Sequence, residues 1–314
     1  MMRDAVLHDF SAIKDVQMSL TYDARLPSPS TLNAHWEVKT IGPQDDVWSI
    51  WEVCMQQADA VLLIAPETGG VLTRLTQMAE GLKKTVLGCH SSAVQIASDK
   101  YQTYQQLQRH GIPTIATYLF QDYLFHIGAK NARGSWVAKP IDGAGCADTA
   151  VFDDASQLVD WMQGREETHI IQPLQRGTAA SMSVLCKDGK AYLLACNRQK
   201  ITMQADEAGN RKIGYEGSVL NSLVQHQQAF DQLAQSIAQA IPGLAGYVGV
   251  DLVVDGDDIY VVEINPRLTT SYVALHQACG VNPARMLLDL FYNDDFNFPA
   301  IAYHLVDISL DAAE

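Results

Sequence analysis

The sequence is short of positive charge. Its 314 residues carry 22 Lys plus Arg against 36 Asp plus Glu, a net charge of −14. Such a surface repels phosphate backbones and anionic lipid, which argues against nucleic-acid and membrane partners. A locally basic nucleotide pocket inside the acidic shell stays open. Long apolar runs are also missing, and none approaches the ~18 residues needed to span a bilayer. The start, Met1-Met2-Arg3-Asp4, holds no apolar block of signal type, so a cytoplasmic protein is expected. No Cys-x-x-Cys pair occurs among the cysteines at 54, 89, 146, 186, 196 and 279. Most lie in apolar runs, and buried reduced thiols are expected rather than disulfides. Repeats and low-complexity tracts are absent.

What is present is an ordinary globular composition, 47% hydrophobic and 18% charged, which excludes bulk disorder. At roughly 150 residues per domain the length suits about two domains. The first 90-odd residues alternate helix and strand signals. His35 to Ile41 reads as a short strand, and Val47, Ile50, Trp51 and Cys54 recur at helical spacing. Ala60 to Ala65 is a continuous apolar run, the mark of a strand buried on both faces. A helix follows on Leu72, Leu75, Met78, Ala79 and Leu82, then a strand from Thr85 to Gly88. This βαβ rhythm predicts an α/β, doubly wound N-terminal domain. Pro27-Ser28-Pro29-Ser30 reads as a loop.

From Ser98 the pattern changes. Ser98 is a candidate N-cap for a helix on Tyr101, Tyr104 and Leu107 that stops at Gly111 and Pro113. Extended segments then dominate: 136–139, 169–172, 181–186, 191–197, 247–254 and 259–264. Asp188-Gly189 and Asp255-Gly256 signal hairpin turns, and one helix on Phe230, Leu233, Ala234 and Ile237 ends at Pro242-Gly243. The second half is therefore α+β.

The acidic hairpin carries the strongest chemical signal. Asp251 stands in a Val-rich strand, and Glu263 and Asn265 in the returning one. With a turn centred near Asp257, Asp251 faces Glu263 and Asn265 projects to the same side one pleat along. Facing acids repel unless a cation sits between them, and hard oxygen ligands suit Mg²⁺ shared with phosphates. The competing reading is an exposed edge with scattered acids, which does not explain acids inside buried strands. Lys139 closes the strand Trp136-Val137-Ala138-Lys139 just before Asp142-Gly143-Ala144-Gly145. A lysine beside a glycine turn can hold a phosphate, although Gly-Ala-Gly alone fits any turn. Lys100, in the first turn of its helix, has a solvated surface role as its plainer alternative.

In this order the pieces resemble the ATP-grasp superfamily of carboxylate–amine ligases. The resemblance rests on Ser98-Asp99-Lys100 with Gly111-Ile112-Pro113, on Val137-Ala138-Lys139-Pro140 and its glycine loop, and on Ile171-Gln172-Pro173-Leu174. It is completed by Gly249-Val250-Asp251 with Glu263-Ile264-Asn265-Pro266-Arg267. It implies an N-terminal domain over 1–96, a small ATP-grasp lobe over 97–170 and a C-terminal lobe over 171–314. It further implies that Lys100 and Lys139 contact ATP phosphates under a loop of Gly143, Ala144 and Gly145. Gln172, Pro173, Leu174 and Gln175 would line the adenine, and Asp251, Glu263 and Asn265 would hold Mg²⁺ or Mn²⁺. A carboxylate attacks the γ-phosphate in this family, and an amine captures the acyl phosphate to give an amide, ADP and phosphate. Arg267 would then stabilise the acyl carbonyl, its plainer alternative being to neutralise nearby acids. Arg198, ending another strand, could reach phosphate or substrate carboxylate or equally well stay at the surface.

Within the superfamily, the string from Glu263 to Tyr272, with Ile64-Ala65-Pro66-Glu67-Thr68, is similar to the tyramine–glutamate ligase group of methanofuran biosynthesis and to its relatives in methylotrophic one-carbon metabolism. Glutamate is therefore the expected carboxylate, small molecules the expected partners, and a homodimer the family's common assembly. One departure stands out: related ligases often place a ribose-binding acid two residues after the hinge glycine, and Gly177-Thr178-Ala179 offers alanine. The alternatives are an ATP-grasp ligase with another acceptor, of the D-alanine-ligase type, or a non-catalytic ATP-binding regulator. The regulator should have lost some of its acids or lysines, and none is missing.

Overall fold

The computed structural model describes residues 1–30, 35–130, 134–143, 145–205 and 211–310. The N-terminal domain runs α1 (Met2–Ser11), β1 (Ser19–Asp23), β2 (Glu37–Ile41), α2 (Val47–Gln57), β3 (Ala60–Val61), α3 (Val71–Gly81), β4 (Thr85–Val86) and α4 (Ser91–Ser98). Its strands pair in parallel, β1 with β2 and β3 with β4, the second pair joined through the crossover helix α3. The run from Ala60 to Ala65 is only partly buried and Ile64 is 42% exposed. The expected full burial is only partial: Val61, Leu63 and Ala65 pack on the small core of Met55, Leu75 and Ala79, and Ala60 and Leu62 lie at the margin of the core on the other side.

The small lobe holds α5 (Lys100–Arg109), α6 (Phe120–Lys130), β5 (Trp136–Pro140), β6 (Ala150–Phe152), α7 (Ala155–Trp161) and β7 (His169–Pro173). The N-cap of α5 is Asp99 rather than Ser98: its carboxylate accepts from the N–H groups of Tyr101 and Gln102 at 2.9 Å. Ser98 instead ends α4. A carboxylate cap also suits the positive end of the helix dipole. Trp136, Ala138, Phe152 and Ile171 pack with Tyr123, Leu158 and Met162 on the helix-covered face of the lobe. Alternation sends Val137, Lys139, Ile170 and Gln172 to the other face.

The C-terminal lobe adds β8 (Thr178–Lys187), β9 (Lys190–Ala205), β10 (Arg211–Leu220), α8 (Gln227–Ala240), β11 (Gly246–Asp255), β12 (Asp258–Asn265), α9 (Leu275–Cys279), α10 (Pro283–Tyr292) and β13 (Val306–Ser309). One nine-stranded sheet joins both lobes in the order β12-β11-β8-β9-β10-β6-β5-β7, with β13 beside β10. One face of the large-lobe part buries Ala180, Met182, Val250, Leu252 and Val261 against α8 and α4. The opposite face packs Tyr247, Leu185 and Leu194 under α1, α9 and α10, and beyond that cover its side chains turn polar. Four of the six cysteines are buried, and none is in a disulfide.

Two glycines fix this end of the sheet by contact. A Cβ at Gly177, whose φ is +137°, would lie 2.5 Å from the Val254 carbonyl oxygen, so the chain crosses from β7 to β8 only without a side chain. A Cβ at Gly249 would lie 2.4 Å from Thr269 Cγ2, because the segment after Asn265 folds back over β11.

Candidate active site

The hairpin brings Asp251 opposite Glu263 and Gly249 opposite Asn265. It does so by a route that the spacing did not disclose. The turn is the two residues Gly256 and Asp257, with Asp255 paired to Asp258, so an unbroken ladder would set Asp251 against Val262. The ladder holds its register as far as Leu252 and Val261, and an irregularity between Asp251 and Leu252 then leaves Val262 as the extra residue and pairs Asp251 with Glu263. This bulge turns Glu263 out of the apolar face, where Val261 and Ile264 lie, and onto the side of Asp251.

Lys100 and Lys139 reach Glu263 Oε2 from the small lobe, at 3.5 and 3.8 Å. Both lysines are 8% exposed, so the solvated reading of Lys100 does not hold. Lys100 Nζ also donates to the Gly143 carbonyl at 2.6 Å, which ties α5 to the glycine loop. Asp251 accepts from Gln199 Nε2 at 2.9 Å and from Asn265 Nδ2 at 3.3 Å. Ser181 lies next to Asp251 and Asn197 next to Ser181 in the ladder, and the Asn197 amide donates to Ser181 and Ser271. A polar row thus crosses three strands beside the two carboxylates.

The charges of this cluster oppose one another. Burial, with the charge of Glu263 behind it, pushes the Asp251 carboxyl well above the usual carboxylate range. Burial also works against the charge of Glu263, but Lys100 and Lys139 together outweigh it and hold that carboxyl low. Burial, then the neighbouring Lys100, pulls the Lys139 ammonium below the ordinary lysine value against the attraction of Glu263. A divalent cation between the carboxylates would relieve the strain on Asp251. The donor set of two carboxylates and an amide is oxygen-rich and fits Mg²⁺ or Mn²⁺. Among the described residues no group of three or more His, Cys, Asp and Glu is placed to hold a metal. A cation held by two carboxylates and an amide would need further oxygens, from water or a ligand, to complete its shell.

Gln172 points to the cleft face of β7, is 4% exposed, and donates to Thr117 Oγ1 at 2.9 Å. Pro173, Leu174 and Gln175 follow it at the lobe junction; the Leu174 N–H is taken by the Ser135 carbonyl at 2.8 Å. Gly143 and Gly145 flank the loop beyond Lys139, and Ala144 lies outside the described residues. Arg267 is brought in one step past Asn265, its Nε donating to Glu67 Oε2 at 2.7 Å.

Arg198 is not brought in. It pairs with Ala180 and Val219 and is exposed on the face opposite the carboxylates, because alternation gives the inner positions to Asn197 and Gln199. Gln199 escaped the sequence reading, and Glu67 stood in the string that carries the resemblance without being given a role. Gln199 sits in Asn197-Arg198-Gln199, where only strand parity tells which residue faces inward. Glu67 meets Arg267 across 200 positions, and its local signal was the Pro66-Glu67-Thr68-Gly69-Gly70 turn leading into α3.

Comparison with known proteins agrees with this geometry. An ATP-grasp domain family matches residues 97–271, and a pre ATP-grasp domain matches 16–94. The chain belongs to the ATP-grasp family. It is 32% identical over 243 residues to a tyramine–L-glutamate ligase of Methanocaldococcus fervens, spanning 77% of this chain and 69% of the relative. A tyramine–L-glutamate ligase of Methanocaldococcus jannaschii is 30% identical over 77% of this chain and 66% of its own. Among solved structures, an ATP-grasp superfamily protein from Archaeoglobus fulgidus superposes with a TM-score of 0.67 at 23% identity, covering 99% of this chain and 91% of that one. An L-amino acid ligase from Bacillus licheniformis gives 0.70 at 15% identity, over 91% and 71%. This member of the family is an ATP-dependent carboxylate–amine ligase. No helix among its described residues is long and apolar enough to cross a membrane.

Proposed function

We propose that this ligase joins the carboxylate of glutamate to a primary amine, in the assembly of a methanofuran-like cofactor. The observation that carries the reading is the meeting of Lys100, Lys139, Asp251 and Glu263 in one cleft, with Arg267 just beyond. The substrate pair is taken from the names of the two relatives described above. In this reading Lys100 and Lys139 bind the β- and γ-phosphates of ATP, while Gly143 and Gly145 let backbone N–H groups approach them. Gln172, the Pro173 carbonyl and Gln175 read adenine at the lobe junction. Asp251, Glu263 and Asn265 hold Mg²⁺ or Mn²⁺, which neutralises phosphate charge when bound.

The chain's own groups then act in order. The two lysines stabilise the transferring phosphoryl group as the substrate carboxylate attacks it and ADP departs. Arg267 donates to the carbonyl of the acyl phosphate, where oxyanion charge develops as the amine adds. Phosphate leaves as the amide forms. The lobes are assigned as 1–96, 97–170 and 171–314, with the substrates entering between the first and the hairpin. A phosphate-release assay with glutamate and a panel of amines, tyramine included, tests the proposal. Release that depends on ATP, glutamate and one amine together is expected. Phosphate release indifferent to glutamate across the panel would overturn the substrate assignment.

A further inference from the structure

Glu67 stands where three parts of the molecule meet. Its turn precedes α3 in the N-terminal domain, and its carboxylate is held by Arg267 of the hairpin tail, whose Nε and Nη2 both lie 2.7 Å from Oε2. The next two residues grip the loop beyond Lys139: the Gly69 N–H donates to Asp142 Oδ2 at 2.9 Å, and the Thr68 hydroxyl donates to the Asp142 carbonyl at 3.3 Å. The turn therefore borders both the loop that follows the phosphate-side lysine and the arginine assigned to the acyl carbonyl.

The carboxylate is used on one side only. Glu67 is 5% exposed, and its Oε1 is buried with no hydrogen-bond partner. A guanidinium that meets a carboxylate side-on satisfies both oxygens. Here both arginine nitrogens converge on Oε2, which fixes the carboxylate and leaves Oε1 as a charged acceptor without a donor. A simple ion pair does not account for that, since an unpaired buried acceptor is costly. The other charged side chains assigned to substrate in this cleft, Lys100, Lys139 and Arg267, are cations suited to phosphate and carboxylate oxygens. Glu67 supplies the opposite sign, and a primary ammonium, with three donors and no acceptor, is its complement.

We propose that Glu67 recognises a substrate ammonium at Oε1 while Arg267 holds Oε2. The ammonium belongs either to the amino acid whose carboxylate is activated or to the acceptor, which must give one proton to the carboxylate it faces before its nitrogen attacks; both present the same chemistry on binding. This rests on the ligase reading, which places both substrates between the N-terminal domain and the hairpin.

Binding is measured separately from turnover, so that the two readings fail separately. Glutamate, its deaminated analogue glutarate, and tyramine are titrated by calorimetry into the wild type and Glu67→Gln, each with a non-hydrolysable ATP analogue and Mg²⁺. In the variant the amide can still accept from Arg267, but it turns an N–H₂ toward the position of Oε1, a donor facing a donor. The wild type is expected to prefer glutamate over glutarate by at least tenfold, and the variant to lose that preference, if the ammonium is that of the amino acid. If it is that of the acceptor, tyramine affinity falls at least tenfold instead and the glutamate-to-glutarate ratio holds. The affinity for the ATP analogue stays within twofold in both cases. Unchanged affinity for all three ligands overturns the assignment. So does a joint loss of nucleotide and substrate affinity with a lowered melting temperature, since that marks a structural ion pair. Glu67→Asp, which keeps the charge and withdraws it by one methylene, should lie between the two proteins.

Discussion

Replacing Lys139 with methionine separates a phosphate-binding lysine from a structural one, because the two roles predict opposite costs. Lys139 is buried, carries a charge that burial and Lys100 both disfavour, and meets Glu263 at 3.8 Å. Methionine fills similar volume without a charge. Glu263 keeps Lys100 at 3.5 Å in the variant, so the carboxylate is not stranded. The lost attraction is offset by relief of the desolvated ammonium, and stability should change by less than about 1 kcal/mol. Nucleotide binding has no such offset. A charge-assisted hydrogen bond to a phosphate contributes about 1.5–3 kcal/mol, so ATP affinity should fall about 10- to 150-fold at ~1.4 kcal/mol per tenfold. Calorimetric titration of an ATP analogue and a melting curve on the same sample read both quantities. An affinity within twofold of wild type, or a stability loss above about 3 kcal/mol, refutes the reasoning.

Further expectations follow from particular contacts. Gly249→Ala should destabilise by about 1–3 kcal/mol through overpacking, because its Cβ would meet Thr269 Cγ2 at 2.4 Å. Adding Thr269→Ser removes that methyl, keeps the hydroxyl that bonds Tyr247, and should restore part of the loss in denaturant melts. Gln199→Leu removes the side-chain hydrogen bond that orients Asp251, so the Mg²⁺ concentration for half-maximal activity should rise about 10- to 100-fold, as measured by metal titration. Burial pushes the thiols of Cys89, Cys196 and Cys279 up to about 12 from 9.0. Their protonated forms stabilise the fold below the unfolded value, and that contribution is lost as pH rises from about 9 toward 12. Melting temperatures should fall over that range, and less steeply when the three are replaced by alanine.

The hairpin shows how the sequence can point to the right pair for an incomplete reason. Symmetry about Asp257 set Asp251 against Glu263, yet the turn sits half a residue earlier and the bulge at Val262 makes up the difference. A bulge leaves no composition signal in Val-Val-Glu, so register was legible and its cause was not. Lys139 was legible because it ends an apolar strand before a glycine loop. Arg198 was read as ending a strand because the apolar run stops at Cys196, whereas β9 continues to Ala205. Inside the strand the inward positions go to Asn197 and Gln199, and of its two readings the surface one fits. The helix α4 was not read at all, since Ser91-Ser92-Ala93-Val94-Gln95-Ile96 gives a short pattern whose helicity depends on packing against α3 and the main sheet. Glu67 needed the fold, because its partner comes from the far end of the chain.

The nucleotide product tests the central claim most directly. In the proposed function the lysines and facing carboxylates of the cleft clamp a transferring γ-phosphoryl group, so each amide formed should be matched by one ADP and one phosphate. Chromatography of the nucleotides after a single substrate turnover should show ADP without AMP. AMP and pyrophosphate in equal amounts would mean an adenylate intermediate, and would contradict the roles given to Lys100, Lys139, Asp251 and Glu263 together.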